Sequence, residues 1–566
     1  TALTELSLTD NKLQLLPVEL GNLRQMKNLY IEGNNLRSPP IEVIHQGPHM
    51  VMTYLSRVFD ARATLSLELI GLGLEELPLE VTNITSLTRL SLTDNALTAL
   101  PAKISKLVDL TDLSAVDNRL TAIPPEIGRL TNLTSLSVAY NELKVLPVEI
   151  GLLERLEELT LDGNYDIRSP PTEIIAQGPS VVLAYFKALL SATHTGLLDL
   201  QHFKLSTIPQ EVLQVPGIER LRLDHNNLRD LPSDMSNITG ITALSLTHNK
   251  LASVPPAIGY WTSLTYLDLD NNGLETLFPD VENLQQLQFL SLLNNNIQML
   301  PYEIGLLTNI KELRIDEEII KIPPREVQEQ GIHQTLRYLR NVYLARETAS
   351  LDLSSMGNPN FPLVSVILPT IRDLKLYNNN LRHIPPSVSM LTALESLALA
   401  DNMLEDLPDE FGNLSSLNTL DISRNNLSRI PNDFVSLSAL TELRMDMNEV
   451  TELPRQFGEL YNLQRLQLDH NILKALPLSM MNLAKLEMLN LEFNELEIIP
   501  ALHNMESLRV LLLSHNRLTV TPAGVGNLHR LNTVHLSYNQ LATVGSDLGS
   551  CTSLTDLRLD HNELSV

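Results

Sequence analysis

The chain has 566 residues, of which 43% are hydrophobic and only 4% aromatic, and its formal net charge at pH 7 is −26. This acidic balance disfavours nucleic acid and anionic membrane surfaces, so basic proteins are the expected partners. The single cysteine, Cys551, excludes a disulfide framework and favours a cytoplasmic location. No apolar run reaches the ~18 residues that span a bilayer, so we do not expect membrane insertion.

Five N-x-Ser/Thr sequences keep an extracellular location open as the alternative. They begin at Asn83, Asn132, Asn237, Asn413 and Asn426. Most fall in a segment that the repeat described next produces in any case, so we expect them to be incidental. No signal peptide is visible, but the chain opens on Thr1 inside a repeat. We therefore expect an array that continues beyond the given ends, or ends that abut other subunits.

One stretch, residues 87–110, states the unit that the remaining sequence copies. It reads LTRLSLTDNALTALPAKISKLVDL, and its Asn95 recurs every 23 residues at Asn118, Asn141 and Asn164. Leu90 and Leu92 alternate with polar residues, which predicts the inward side of a short strand. Pro101 opposes a regular helix, so the return should be irregular or 3₁₀-like. One unit cannot cover its own leucines, and the units must therefore stack.

Twenty-three such units follow one another in groups of 2, 5, 6 and 10. The groups are separated by three longer segments that share a pattern of paired prolines, glutamate and Gln-Gly, which predicts a pair of helices in each. We therefore place helical insertions at 39–62, 170–194 and 323–348, and repeats at 1–38, 63–169, 195–322 and 349–566.

Each insertion is followed by a unit that lacks the asparagine. Leu72, Phe203 or Met356 stands in its place. The helix pairs then either cap exposed leucines or act as hinges or docking points. A tyrosine recurs at one position of the second helix, and we expect it to pack with its hydroxyl reaching solvent or a neighbour. These tyrosines are Tyr54, Tyr185 and Tyr338.

The LxxLxLxxN motif, the LPxxIGxL return and the PPxE(V/I)xxQG insertions resemble the intracellular Ras-group leucine-rich repeat proteins, such as the Scribble, Erbin and soc-2 type scaffolds and leucine-rich repeat-containing protein 40. The resemblance covers essentially all of the chain. It implies an α/β leucine-rich repeat solenoid, curved, with a parallel sheet on the concave face and an irregular or 3₁₀ convex side. It also implies a scaffold that holds other proteins, without naming any of them.

On the predicted concave face, acidic and basic side chains form neighbouring columns. Acids such as Asp224, Asp270 and Asp469 stand two residues before the asparagine position, and arginines such as Arg314 and Arg444 stand further back along the strands. We expect many of these acids and arginines to pair with one another. The alternative is a striped template that fixes the register of a partner.

Two apolar interruptions of this face are the candidate partner-binding sites, because exposed aromatic and arginine groups are typical binding anchors. The first consists of Tyr266, Phe289 and Leu293, flanked by Arg220, Arg222 and Arg314. The second consists of Met488, Val510 and Leu512, with Phe493 near them.

Three histidines share one column on consecutive units, at His202, His225 and His248. Such imidazoles could hold a metal or sense pH. We favour simple tolerance of histidine at this position, because His470, His515 and His561 occupy it without forming such a group.

No nucleotide-binding, metalloprotease or nucleophile motif occurs, so we expect no enzyme activity, cofactor or metal. The predicted function is a protein-protein interaction scaffold. A self-assembling structural subunit and the sensor arm of a larger signalling enzyme are the alternatives.

Overall fold

The structure is a computed structural model that describes residues 2–362 and 368–565. The chain divides into two compact units, Thr1–Asn296 with Asn309–Ile315, and Ile297–Thr308 with Asp316–Val566. Within the described residues both units repeat one rung, which consists of a three-residue strand, a turn, an asparagine and a return segment. All pairings between named strands are parallel, which confirms the solenoid predicted from the repeat.

The first unit contains three parallel sheets. The two-stranded sheet is β1 (Glu5–Ser7) and β2 (Asn28–Tyr30). The five-stranded sheet is β3 (Ser66–Glu68), β4 (Arg89–Ser91), β5 (Asp112–Ser114), β6 (Ser135–Ser137) and β7 (Glu158–Thr160). The six-stranded sheet is β8 (Leu197–Asp199), β9 (Arg220–Arg222), β10 (Ala243–Ser245), β11 (Tyr266–Asp268), β12 (Phe289–Ser291) and β13 (Glu312–Arg314).

Among its described residues, the second unit contains one parallel sheet of ten strands in chain order. They are β14 (Ser350–Asp352), β15 (Asp373–Lys375), β16 (Ser396–Ala398), β17 (Thr419–Asp421), β18 (Glu442–Arg444), β19 (Arg465–Gln467), β20 (Met488–Asn490), β21 (Val510–Leu512), β22 (Thr533–His535) and β23 (Asp556–Arg558).

The core of each rung is made of inward leucines. Leu90, Leu92 and Leu97 are at most 1% exposed, and Ile104 and Leu107 close the back of the same rung. Each such side chain contributes about 1.5–3 kcal/mol by leaving water. The return segments form seventeen short 3₁₀ helices within the described residues, such as Ala102–Lys106, as the proline after the strand predicts.

The repeated asparagine connects adjacent rungs. Asn118 is buried, and its Nδ2 donates to the carbonyl of Leu92 in the preceding rung at 2.9 Å and to that of Ala115 at 3.3 Å. Its Oδ1 accepts a 3.0 Å hydrogen bond from the backbone N–H of Leu97. The side chain therefore satisfies backbone groups that the stack has removed from water, as predicted.

A left-handed residue precedes the asparagine in most rungs. Asp94 has φ of 58°, His225 of 55° and Phe493 of 53°. Asparagine, aspartate and histidine adopt this conformation more readily than other side chains, which accounts for their frequency at this position. The turn directs the side chains of successive rungs into one row.

In the part of the chain that the structure describes, three helix pairs interrupt the repeats. The first unit holds α1 (Ile41–His45), α2 (Pro48–Thr64), α3 (Thr172–Ile175) and α4 (Pro179–Thr195). The second unit holds α5 (Arg325–Gln328) and α6 (Ile332–Thr348). A glycine with φ of 95–97°, Gly47, Gly178 or Gly331, stands between the helices of each pair.

The second helix of each pair packs directly on the preceding 3₁₀ turn. Gly151 lies against α4 so closely that a Cβ atom would meet the backbone N of Lys187 at 2.6 Å, and Gly305 meets Arg340 of α6 in the same way at 2.2 Å. Gln46, the residue after α1, bonds to the rung that lacks the asparagine, because its Nε2 donates to the Leu72 carbonyl at 2.7 Å. The helix pairs thus fill the edge of one sheet and lead into the next strand.

Candidate functional site

The first predicted site lies on the outward face of the six-stranded sheet. Tyr266 and Phe289 are directly paired in register, and their rings stack with centroids 4.4 Å apart and planes 5° apart. The guanidinium carbon of Arg314 lies 5.1 Å from the centroid of Phe289, a cation–π contact. We call these three residues the aromatic stack. Phe289 is covered on both faces, because β11 and β13 flank β12.

Polar neighbours fix both ends of the aromatic stack. The hydroxyl of Tyr266 donates to Asp268 Oδ2 at 3.0 Å, and Arg314 contacts Glu312 Oε1 at 2.6 Å. Burial, followed by the adjacent Asp268 carboxylate, raises the pKa of Tyr266 to about 12. Burial also raises the pKa of Asp268. Tyrosine, phenylalanine and arginine are therefore presented in one defined orientation.

The other predicted members of the first site are less closely grouped. Leu293 is half-buried beyond the end of β12, and its N–H donates to Asp270 Oδ1 at 2.7 Å. Arg220 and Arg222 are exposed on β9, so β10 separates them from Tyr266. The structure thus joins Arg314 to the rings and leaves a gap before the β9 arginines.

The expected pairing between the acid column and the arginines is wrong for Asp224 and Asp270. Asp224 accepts hydrogen bonds from Ser245 Oγ at 2.5 Å and from the backbone N–H of Thr247 at 2.9 Å, both on the next rung. Asp270 accepts from Ser291 Oγ at 2.6 Å. A serine on the adjacent strand was the sequence signal for this bonding.

The arginines pair with acids of other columns. Arg314 pairs with Glu312, Arg444 with Glu442 at 3.0 Å, and Arg222 with Asp199 at 3.7 Å. These side chains are roughly half exposed or more on the arginine side, so each pair contributes little to stability.

The second predicted site is divided. Met488 and Val510 are paired in register on β20 and β21, and both are half-buried, as is Leu512. Phe493 instead lies at the left-handed turn beyond β20, where it stacks between His470 and His515.

Five rings form a continuous stack along this row of turns. Successive centroids are 4.0–4.3 Å apart and successive planes are 10–18° apart. We call it the ring ladder, and its members are His470, Phe493, His515, Tyr538 and His561. As predicted, these histidines do not form a group of adjacent imidazoles, because Phe493 lies between His470 and His515 and Tyr538 lies between His515 and His561. The prediction considered the histidines alone and missed the stacking on the phenylalanine and the tyrosine.

Carboxylates hold the ends of the ring ladder. Asp469 lies 3.0 Å from Nδ1 of His470, and Asp560 lies 2.9 Å from Nδ1 of His561. The hydrogen bonds from Ser537 and from His561 lower the pKa of Asp560. The ladder lies at the surface, where Phe493 is 42% and Tyr538 is 45% exposed.

The three histidines on consecutive rungs of the six-stranded sheet also stack. His202, His225 and His248 have centroids 4.4 and 4.3 Å apart and nearly parallel planes. The lone pair of an imidazole nitrogen lies in the ring plane, so three stacked rings keep their lone pairs in separate, nearly parallel planes. They therefore do not converge on one ion, and no group of three or more potential ligands in the described part of the chain could hold a metal.

Family comparisons match several parts of the chain. A model described as a leucine-rich repeat region matches residues 360–466, a second leucine-rich repeat model matches 109–165 and 506–564, and a third matches 263–284. The chain is a leucine-rich repeat protein. No curated relative matches it.

Several solved structures resemble this leucine-rich repeat protein. The ectodomain of the plant receptor kinase GASSHO1/SCHENGEN3 from Arabidopsis thaliana, in complex with Casparian strip integrity factor 2, is 22% identical, with coverage of 100% of this chain and 88% of that chain and a TM-score of 0.37. YopM from Yersinia enterocolitica is 23% identical, with coverage of 94% and 93% and a TM-score of 0.29. A leucine-rich repeat protein of Leptospira interrogans is 25% identical, with coverage of 87% and 90% and a TM-score of 0.26.

No helix among the described residues of this leucine-rich repeat protein has both the length and the apolar character needed to cross a membrane.

Proposed function

We propose that this leucine-rich repeat protein is a non-enzymatic scaffold that binds a protein partner through the outward face of its parallel sheets. The observation that carries the proposal is the aromatic stack, in which Tyr266, Phe289 and Arg314 lie in mutual contact on that face. Tyrosine and arginine are among the residues that most often dominate the energy of protein interfaces.

The aromatic stack is pre-ordered for binding. The contact with Phe289 and the hydrogen bond to Asp268 hold Tyr266, and the contact with Glu312 holds Arg314. Side chains that are already fixed lose little conformational entropy when a partner covers them. The stack therefore gains affinity without an ordering step.

The charge supports a basic partner. The chain carries 67 aspartate and glutamate residues against 41 lysine and arginine residues. Complementary charge accelerates association and helps to set the register of a bound segment. We also propose a cytoplasmic location, which the lone, buried Cys551 supports.

A photo-crosslinking amino acid placed at position 289 tests the proposal. In extracts of the source cell, it should form adducts with a protein other than this chain, whereas the same group at Val108, an exposed residue away from the sheet face, should not. Equal adducts at the two positions would contradict the proposal. Adducts only between copies of the chain would instead favour a self-assembling subunit.

Partner capture provides the second measurement. The double variant Phe289→Ala, Leu293→Ala should lose at least tenfold in capture of the crosslinked protein, since truncation of an interface anchor typically costs about 2 kcal/mol or more. The control Leu79→Ala, Val108→Ala removes exposed apolar side chains that lie outside the strands, and it should leave capture unchanged. Undiminished capture by the first variant rejects the aromatic stack as the contact.

A further inference from the structure

The first residues of the strands of the six-stranded sheet form a row with one small member. From β9 to β12 the row reads Arg220, Ala243, Tyr266 and Phe289, all paired in register. Phe289 is covered by Tyr266 on one side and by Arg314 on the other. Among the described residues, Phe289 is the one ring or cation stacked on Tyr266. The other face of Tyr266 is on the side of β10, where the row holds the methyl group of Ala243.

The spacing of this gap matches one ring. Neighbouring strands lie about 4.8 Å apart, and the Tyr266 and Phe289 rings follow that repeat with a centroid distance of 4.4 Å. Arg220 and Tyr266 lie on strands that are two apart, so their backbones are about 9.6 Å from each other, with Ala243 between them in the row. A single planar group over Ala243 would therefore continue the stack at the same spacing.

We propose that this gap is a binding slot for one aromatic side chain of a protein partner. In this aromatic slot Ala243 is the floor, and Tyr266 and Arg220 are the walls. The inference rests on the proposed function and deepens it, because it names the feature of the partner that the sheet face recognises.

The charges at the slot favour an aromatic ring over other side chains. The side chain of Arg220 is exposed, and its guanidinium makes no ion pair or hydrogen bond with any residue that the structure describes. Its guanidinium attracts the π face of an aromatic ring and repels an incoming arginine or lysine. An aliphatic side chain would fill the space but would gain neither ring stacking nor the cation–π contact.

The neighbouring charges are already engaged. Arg222 is paired with Asp199 at 3.7 Å, and Asp224 accepts hydrogen bonds from Ser245 and Thr247. The unpaired cation at the slot is therefore that of Arg220, and it stands on the side opposite Tyr266. Arg220 thus offers a cation to one face of an inserted ring, and Tyr266 offers a surface for offset stacking to the other.

A direct test uses a small probe, N-acetyl-L-tryptophanamide, with saturation-transfer NMR and titration. Wild-type protein should transfer saturation to the indole protons more strongly than to N-acetyl-L-leucinamide or N-acetyl-L-argininamide. Ala243→Phe places a ring of the chain itself in the slot and should weaken binding of the indole probe about tenfold. Residue 243 is half-buried on the outward face, so this variant should retain the wild-type melting temperature.

A matched control places the same ring elsewhere. Ser135→Phe adds a phenyl group at the equivalent first position of β6, where the neighbours in register are Asp112 and Glu158. It should leave probe binding unchanged. Arg220→Met, which keeps the length of the side chain and removes the charge, should weaken binding of the indole probe several-fold.

Equal probe binding by wild type and Ala243→Phe, or preferential binding of the arginine probe, would overturn the slot. Partner capture separates the two proposals. Capture that Ala243→Phe leaves intact while Phe289→Ala, Leu293→Ala abolishes it rejects the slot and retains the scaffold function. Capture unaffected by either variant rejects both, and capture lost in both supports both.

Discussion

The hydroxyl of Tyr185 donates a 2.9 Å hydrogen bond to Oε1 of Glu211, which lies 26 residues further along the chain. Oε1 of Glu211 also accepts a 2.8 Å hydrogen bond from Ser169 Oγ. The first helix pair has the same arrangement, with Tyr54 donating to Glu80 at 2.7 Å. Each of these contacts ties α4 or α2 to the repeat that follows it.

Loss of the hydroxyl should therefore weaken the first unit. Tyr185→Phe should lower its free energy of unfolding by about 1–2 kcal/mol, because the donor to Glu211 is removed. The control is Tyr338→Phe, since the hydroxyl of Tyr338 makes no hydrogen bond among the described residues, and the sequence has Ile322 and Val364 where the other insertions have serine and glutamate. Urea unfolding followed by circular dichroism measures both, and equal destabilisation would contradict the prediction.

The same tyrosines predict a loss of stability in alkali. Burial, and then the adjacent carboxylates, raise the pKa of Tyr54 and Tyr185 above the ordinary value. Below about pH 10 both states keep the phenolic proton, so the stability is fully present. Above it the unfolded chain loses the proton first, and stability falls as the pH rises. The urea midpoints measured at pH 8 and at pH 10.5 should differ less in the double variant Tyr54→Phe, Tyr185→Phe than in the wild type. The same difference in both proteins would show that these tyrosines do not cause the loss of stability.

Asn358 stands where most other repeats have an inward leucine. It is 1% exposed, and neither polar atom of its side chain has a hydrogen-bond partner within the part of the chain that the structure describes. Asn358→Leu should stabilise the second unit by about 1–3 kcal/mol, because an unsatisfied buried amide is removed. The control is Asn379→Leu, for which the opposite result is expected. It deletes a 2.9 Å hydrogen bond to the Leu353 carbonyl and should destabilise the second unit. Thermal and urea unfolding of the two variants give the comparison.

The close approach of α4 to the preceding turn predicts intolerance of a methyl group. Gly151→Ala should cost about 1–3 kcal/mol, since its Cβ would lie 2.6 Å from the backbone N of Lys187 and the helix would have to move. Gly549→Ala is the control, because a Cβ there meets no atom within 4 Å. Similar unfolding midpoints for the two variants would show that the helix can shift freely.

The ring ladder predicts a loss of stability when Phe493, its one phenylalanine, is truncated. Phe493→Ala should destabilise the second unit by about 1–2 kcal/mol, because it loses stacking with His470 and His515 while the backbone keeps φ near 53°. Phe493→His should remain close to wild type, since it restores a ring and suits the left-handed turn. A double-mutant cycle with His515→Ala isolates the coupling between the two rings, and a coupling near zero would reject the ladder as a stabilising element.

The repeat period predicted the strands, the asparagine bonds and the 3₁₀ returns because each depends on residues within one or two units, as Asn95 and Leu97 illustrate. Contacts that depend on side-chain orientation, or on where a helix docks, were harder to predict. The sequence placed Tyr266 beside Phe289 but could not give the ring orientation that leaves one face of Tyr266 open. It also gave no reason to pair Tyr185 with Glu211, since that bond depends on where α4 docks.

The asparagine bonds also bear on how the chain would yield under tension. Asn249 holds the carbonyl of Leu223 in the preceding rung, and its own rung is held in turn by Asn272, which bonds to the carbonyl of Leu246. Each asparagine thus fastens its own rung to the preceding one, so that an inner rung is bonded to both of its neighbours. Pulling on a terminal rung would break the hydrogen bonds of one asparagine at a time. A run of repeats would therefore unfold in equal steps of about one repeat length.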